Sequence, residues 1–212
     1  MTAEAPINLD RIRQLEFSSG QILGKSNQGE VRRFKVDGRE LAIKMPKGRG
    51  LGWRIRQATL KREYQAYRRL KGIPGLAHCH GLVDDTWLVL DYIEGRPFRD
   101  TKLEDAEAFF SRLLEVIETM HARGVAHGDL KRKDNLLITA DEQPVILDLG
   151  AATLAGAPRR PLGSALFRFM RQTDLNAWVK LKYGGYEGVS EVDQHYLKRS
   201  WLERLLTRLR GR

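Results

Sequence analysis

Apolar and polar positions alternate with a period of two through much of the first half of the chain. Gln21 to Leu23, Glu30 to Val36 and Glu40 to Met45 read as strands on this pattern. Val36-Asp37-Gly38 separates the last two, and Asp-Gly between alternating runs is a strong hairpin signal. Leu82-Val83, an Asp84-Asp85 turn and Trp87 to Tyr92 predict a second hairpin. Helical spacing appears in Ile7 to Phe17 and in Thr59 to Leu70, and Ile73-Pro74-Gly75 breaks the latter. Between them, Lys47 to Gly52 reads as a Gly- and Lys/Arg-rich loop.

In the second half the period lengthens. Thr101-Lys102-Leu103-Glu104 reads as a capping box, opening a long helix with Ala106, Phe109, Phe110, Leu113, Ile117 and Met120 on one stripe. Gly124 ends it. Two short runs follow, Asn135 to Thr139 and Pro144 to Leu147, and after them only loops and helices are expected. Thr173 to Trp178 reads as a helix start with Thr173 or Asp174 as cap. Ser190-Glu191-Val192-Asp193 resembles a second capping box before a basic amphipathic C-terminal helix. Strands first and helices second predict an α+β fold with segregated elements. The expected organisation is an N-terminal extension over 1–18, a β-rich lobe over 19–95 and a short, mostly helical lobe over 96–212, meeting near Glu94-Gly95-Arg96-Pro97.

Composition narrows the class. The 212 residues can bury a core without disulfides, and the single cysteine, Cys79, fits a reducing, cytoplasmic setting. The N-terminus lacks a signal-like apolar run, and the run Trp87 to Leu90 is too short to span a bilayer. The net charge of +10 implies an anionic partner. From Lys44 to Lys71 the only acid is Glu63, and Lys198 to Arg212 carries six basic residues against Glu203. Such clusters are commonly solvated faces, but two of them keep peripheral contact with an anionic membrane surface in view. A nucleic-acid partner is not expected, because the aromatics are sparse and not interleaved with one basic face. Trp53, Trp87, Trp178 and Trp201 read as core or interface, and His121 as structural. His78-Cys79-His80 has no second ligand pair at zinc spacing.

Four segments carry candidate chemistry. Gly24-Lys25-Ser26-Asn27-Gln28-Gly29-Glu30-Val31 places small residues where a strand–turn–strand could close over phosphates. Ala42-Ile43-Lys44 puts a lysine on an apolar strand, which is costly unless paired, and Glu63 is its natural partner. His127 to Leu137 packs a potential base (Asp129), a cation (Lys131) and two potential metal ligands (Asp134 and Asn135) between apolar flanks. Val145-Ile146-Leu147-Asp148-Leu149-Gly150 is an apolar strand ending in a carboxylate, which suits Mg²⁺.

In this order and spacing the segments resemble the protein-kinase superfamily, in particular small bacterial kinases related to lipopolysaccharide-core kinases and RIO-type Ser/Thr kinases. The resemblance implies a two-lobed fold using ATP and Mg²⁺. It implies that Gly24, Ser26, Gly29 and Val31 cover the phosphates and that Lys44, paired with Glu63, holds them. Ala42 and Leu137 would sandwich the adenine, and Asp91 to Ile93 would meet its edge. Asp129 would be the catalytic base and Lys131 would neutralise the transferring group. Asn135 and Asp148 would hold the metal. Read without a gap, Asp134 takes the place of Asn135; aligned on Leu136-Leu137, Asn135 keeps it. Gly128 stands where most protein kinases have Arg, and about 62 residues follow Gly150, without an Ala-Pro-Glu segment. The acceptor implied is a protein Ser/Thr, with a lipopolysaccharide-core sugar as the alternative. A non-catalytic nucleotide-binding scaffold and an RNA- or ribosome-associated module are the rival classes.

Overall fold

The computed structural model describes residues 7–25, 29–156 and 161–198. A short helix α1 (Leu9–Arg13) leads into strands β1 (Gln21–Lys25), β2 (Gly29–Val36) and β3 (Arg39–Pro46), then helix α2 (Gly50–Arg69). Strands β4 (Cys79–Val83) and β5 (Trp87–Asp91) complete an antiparallel sheet of order β1-β2-β3-β5-β4. The β2–β3 hairpin closes with Asp37 at φ 51° and Gly38 at φ 79°, the left-handed pair that two-residue turns require.

The period of two sorts the two faces of the sheet. Leu41, Ile43, Phe34, Val36, Val83 and Val89 point to one face, where Ile7 and Ile12 of the leading segment cover them. Ala42, Leu88 and Leu90 point to the other face and join the main core. Lys44 stands on that same second face by strand alternation. Burying Ile12 and Leu41 completely contributes roughly 1.5–3 kcal/mol each, so the N-terminal residues are part of the sheet's packing.

The second half contains β6 (Arg96–Pro97), α3 (Ala106–Ala122), β7 (Val125–Ala126), β8 (Leu136–Ile138), β9 (Pro144–Ile146), β10 (Thr153–Leu154) and α4 (Pro161–Tyr183). The main core runs through it, with Phe109, Leu113, Ile117 and Trp178 essentially fully buried. Trp178 Nε1 donates to Phe110 O at 2.8 Å, pinning α4 to α3. Among the described residues no helix is long and apolar enough to cross a membrane.

Several expectations are corrected. Helix α2 begins at Gly50, nine residues before Thr59, so the supposed loop over Lys47 to Gly52 is partly helical. The straight-chain Arg and Gln residues there are good helix formers and outweigh the glycines. The box at Thr101–Glu104 does not cap α3. Asp105 does, accepting from Ala108 N at 3.0 Å. Thr101 Oγ1 donates to Pro97 O instead, and Glu142 accepts from Glu104 N and Asp105 N. A further strand, β10, follows Leu147 and pairs antiparallel with β7. Thr173 and Asp174 lie inside α4 and start no helix. Ser190 Oγ accepts from Asp193 N, but Asp193 turns its carboxylate to Lys182 and Tyr183. The basic helix expected after it lies outside the described residues apart from Lys198.

Candidate active site

Strand β3 and helix α2 meet at an ion cluster. Lys44 Nζ lies 2.8 and 3.1 Å from the two Glu63 carboxylate oxygens and 2.7 Å from Asp148 Oδ1. Glu63 is buried, whereas the Asp148 side chain is 49% exposed. Burial works to neutralise the Lys44 ammonium, but the Glu63 and Asp148 charges outweigh it and hold its pKa above the ordinary lysine value. Burial also works to raise the Asp148 carboxyl, but Lys44 and the Gly150 N–H overcome it and keep the group below the usual carboxylate range. Burial, reinforced by repulsion from Asp148, pushes Glu63 upward against the pull of Lys44. That upward direction and the raised Lys44 pull opposite ways on one contact. With Nζ at hydrogen-bond distance from both Glu63 oxygens, the ion pair is the form the geometry supports.

Helix α2 is held in place at both levels. Leu149, which follows Asp148, is buried beneath it. Arg69 Nη1 at its end donates to Gly124 O and Ala155 O at 3.3 and 3.0 Å. The lowered pKa of Asp148 implies stability present above the ordinary carboxylate value, about 4, and lost as pH falls through the depressed one. Lys44→Met should therefore move the Asp148 pKa upward, readable by carboxyl NMR titration. An unmoved titration would mean that Lys44 does not govern it.

Asp129 sits on the segment between β7 and β8, and its backbone is fixed at both ends. Its N–H donates to His127 Nδ1 at 3.2 Å, and its carbonyl accepts from Asn135 Nδ2 at 3.0 Å. Because His127 Nδ1 accepts, its proton sits on Nε2, which donates to Leu147 O at 2.9 Å. This ties Asp129 to the residue before Asp148. Leu147 N also donates to Asn135 O at 2.8 Å. Asn135 is thus buried inside the site, whereas Asp134 turns outward, is half exposed and pairs with Arg99 Nη2 at 3.0 Å.

Beneath this loop lies a residue whose role the sequence reading missed. Asp174, 1% exposed in α4, accepts from His127 N at 2.7 Å and Gly128 N at 2.8 Å, and His121 Nε2 lies 3.0 Å from it. The signal was present: a carboxylate shares a helix face with Ala177, Trp178 and Leu181, all buried. Gly128 adopts φ 80°, and a Cβ there would stand 3.0 Å from Ala151 O, so glycine relieves both constraints.

The other expected residues lie on the five-stranded sheet and on the strands and loops that follow it. Gly24 pairs with Val31 across β1 and β2, and Val31 pairs with Lys44 across β2 and β3. A Cβ at Gly29 would come within 2.4 Å of Met45 O, so this position admits only glycine without rearrangement. Ser26 lies outside the described residues. Ala42 pairs with Leu90, and Leu137 with Pro97 on the opposite wall. Asp91 ends β5 with its carboxylate turned to His80 Nε2 at 2.6 Å, and Ile93 is half-buried against the core. Lys131 is exposed beside Asp129. His78 and His80 pack edge to face, and no group of three metal-ligating side chains of the His, Cys, Asp and Glu types occurs among the described residues.

Comparison with known proteins agrees with this geometry. The family model for the protein kinase domain matches residues 17–168, well over half the chain. The chain belongs to the protein kinase domain family. This kinase domain is 28% identical over 161 residues to CBL-interacting protein kinase 25 of Oryza sativa subsp. japonica, covering 68% of the chain and 31% of the relative. It is 33% identical over 89 residues to Serine/threonine-protein kinase cds1 of Schizosaccharomyces pombe, covering 37% of the chain and 19% of the relative. It is 27% identical over 155 residues to Maternal embryonic leucine zipper kinase of Danio rerio, covering 69% and 22%. The matched region thus spans less than a third of each of these relatives.

Proposed function

We propose that the kinase domain transfers the γ-phosphate of Mg·ATP to a protein Ser/Thr hydroxyl, and that 19–95 and 96–212 form the two lobes of the catalytic unit. The observation that carries this reading is the Lys44–Glu63–Asp148 cluster, tied through His127 and Leu147 to the loop bearing Asp129. The names of the relatives, Serine/threonine-protein kinase cds1 among them, support the acceptor class. In this reading the acceptor oxygen bonds to phosphorus as the bond to the ADP oxygen breaks. The acceptor proton passes to Asp129, and Lys131 offsets the charge of the transferring group. Gly24, Ser26, Gly29 and Val31 cover the phosphates and Lys44 holds them. Ala42 and Leu137 enclose the adenine, with Asp91 and Ile93 at its edge.

The donor set fits Mg²⁺. Asp148 Oδ1 accepts from Lys44 and Gly150 N, which leaves Oδ2 for a cation. Asn135 uses its Nδ2 toward Asp129 O, which leaves its side-chain oxygen. Two hard oxygen donors are what Mg²⁺ takes from protein when phosphates supply the rest. When bound, the ion supplies charge neutralisation at the phosphates. The inward Asn135 and outward Asp134 favour Asn135 as the ligand. Asn135→Ala should therefore lower activity by about tenfold or more and raise the Mg²⁺ requirement, and Asp134→Ala should change both less than threefold. A larger loss in Asp134→Ala would reverse the assignment.

Gly128 favours a second reading, in which the acceptor is a lipopolysaccharide-core sugar, as in the atypical bacterial kinases the chain resembles. The test is γ-labelled ATP turnover offered a generic Ser/Thr protein, purified lipopolysaccharide, or no acceptor. Label on protein supports the first reading and label on lipopolysaccharide the second. ATP bound with no label anywhere points to a nucleotide-binding scaffold.

A further inference from the structure

Two exposed cations close to Asp129, Arg132 and Lys133, have no role in the proposed reaction. Arg132 Nη1 stands 3.9 Å from Asp129 Oδ2, and its side chain is 64% exposed. At that distance the guanidinium flanks the carboxylate without clamping it in a hydrogen bond. The next residue, Lys133, is exposed and holds its ammonium 5.9 Å from the centre of the Phe98 ring. Phe98 and Arg99 belong to the short turn after β6, which packs against the turn bearing Lys133 and Asp134. Asp134 is the one acid in this turn, and Arg99 Nη2 already pairs with it at 3.0 Å. The negative charge that could have attracted a basic acceptor is thereby neutralised. Arg132 and Lys133 are both exposed, three and four residues after Asp129.

We propose that the acceptor is an acidic protein segment, with Arg132 and Lys133 binding carboxylates or phosphates that flank the hydroxyl presented to Asp129. This rests on the phosphoryl-transfer reading above and names its substrate class. The arrangement disfavours basic acceptors as well, because a Lys or Arg beside the hydroxyl would meet Arg132 and Lys133, while Asp134 in the same turn is already paired with Arg99. Exposed charge pairs contribute modestly, so the selectivity is expected to lie in KM and to be sensitive to salt.

The test uses three peptides with the same central Ser and acidic, neutral or basic flanks, given to wild type and to Arg132→Glu/Lys133→Glu. Thermal melting checks that the variant is folded. Wild type should prefer the acidic over the basic peptide by about tenfold or more in kcat/KM, through KM, and 0.5 M salt should erase most of that preference. The double variant should lose or invert the preference. Equal use of all peptides, or preference for the basic one, overturns the acidic-acceptor proposal and leaves protein phosphorylation standing. Label on no peptide, but on lipopolysaccharide, overturns both. An unfolded double variant moves the comparison to Arg132→Gln, for which a retained acidic preference overturns the role of Arg132.

Discussion

Asp129→Asn is expected to reduce kcat by about 10²–10⁴-fold while nucleotide affinity stays near that of wild type. The substitution is nearly isosteric, and the site holds Asp129 by its backbone. Its N–H is committed to His127 and its carbonyl to Asn135. The side chain is 39% exposed, and Arg132 Nη1 stands 3.9 Å from it. Removing the charge therefore leaves the loop in place and removes the proposed acceptor of the proton. Labelled-phosphate transfer and calorimetric ATP binding, run in parallel, measure the two quantities. A kcat within threefold of wild type would exclude Asp129 as the base.

Asp174→Ala should lower stability by about 3–5 kcal/mol, since one buried carboxylate answers three donors. Its removal strands two backbone N–H groups and the His121 ring in a region where His127 and His121 are almost wholly buried. Against a total stability of about 5–15 kcal/mol the loss is severe. It should release the loop before it melts the sheet, because the partners of Asp174 are His121, His127 and Gly128, in α3 and the loop, not in the strands β1 to β5. Denaturant midpoints give the first quantity, and hydrogen exchange at His127 and Gly128 gives the second. A variant within about 1 kcal/mol of wild type, with those amides still protected, would show that the loop is fixed by other means.

How much of this was legible in the sequence depended on whether the signal was local. The β2–β3 hairpin was readable because Asp37-Gly38 sits between alternating runs and both residues take positive φ. The Lys44–Glu63 pair was readable because a strand lysine needs a counter-charge and a single acid lay in range. The start of α2 was not, because Gly50 and Gly52 signal a loop locally while the rest of the segment favours helix. The cap of α3 was misplaced by four residues, since Thr101 and Asp105 are both good caps and a distant carboxylate, Glu142, completes the real one. Asp174 read as a helix cap because its partners lie 46 to 53 residues earlier, on elements whose approach no local pattern records. The register of Asp134 and Asn135 stayed open for a similar reason: Arg99, which draws Asp134 outward, is 35 residues away.

The contact between Lys44 and Asp148 spans 104 residues of chain and joins the proposed phosphate anchor to the proposed metal ligand. Each is thus a counter-ion of the other, with Glu63 as the second partner of Lys44. A phosphate arriving alone competes with Asp148 for the ammonium and leaves that carboxylate without its partner. A cation arriving alone competes with Lys44 in the same way. When both arrive together, each takes one half of the broken pair and no charge is left unmatched. On the proposed reading the cleft opens to a nucleotide–metal ion pair more readily than to either component, and the binding of the two is expected to be mutually reinforcing.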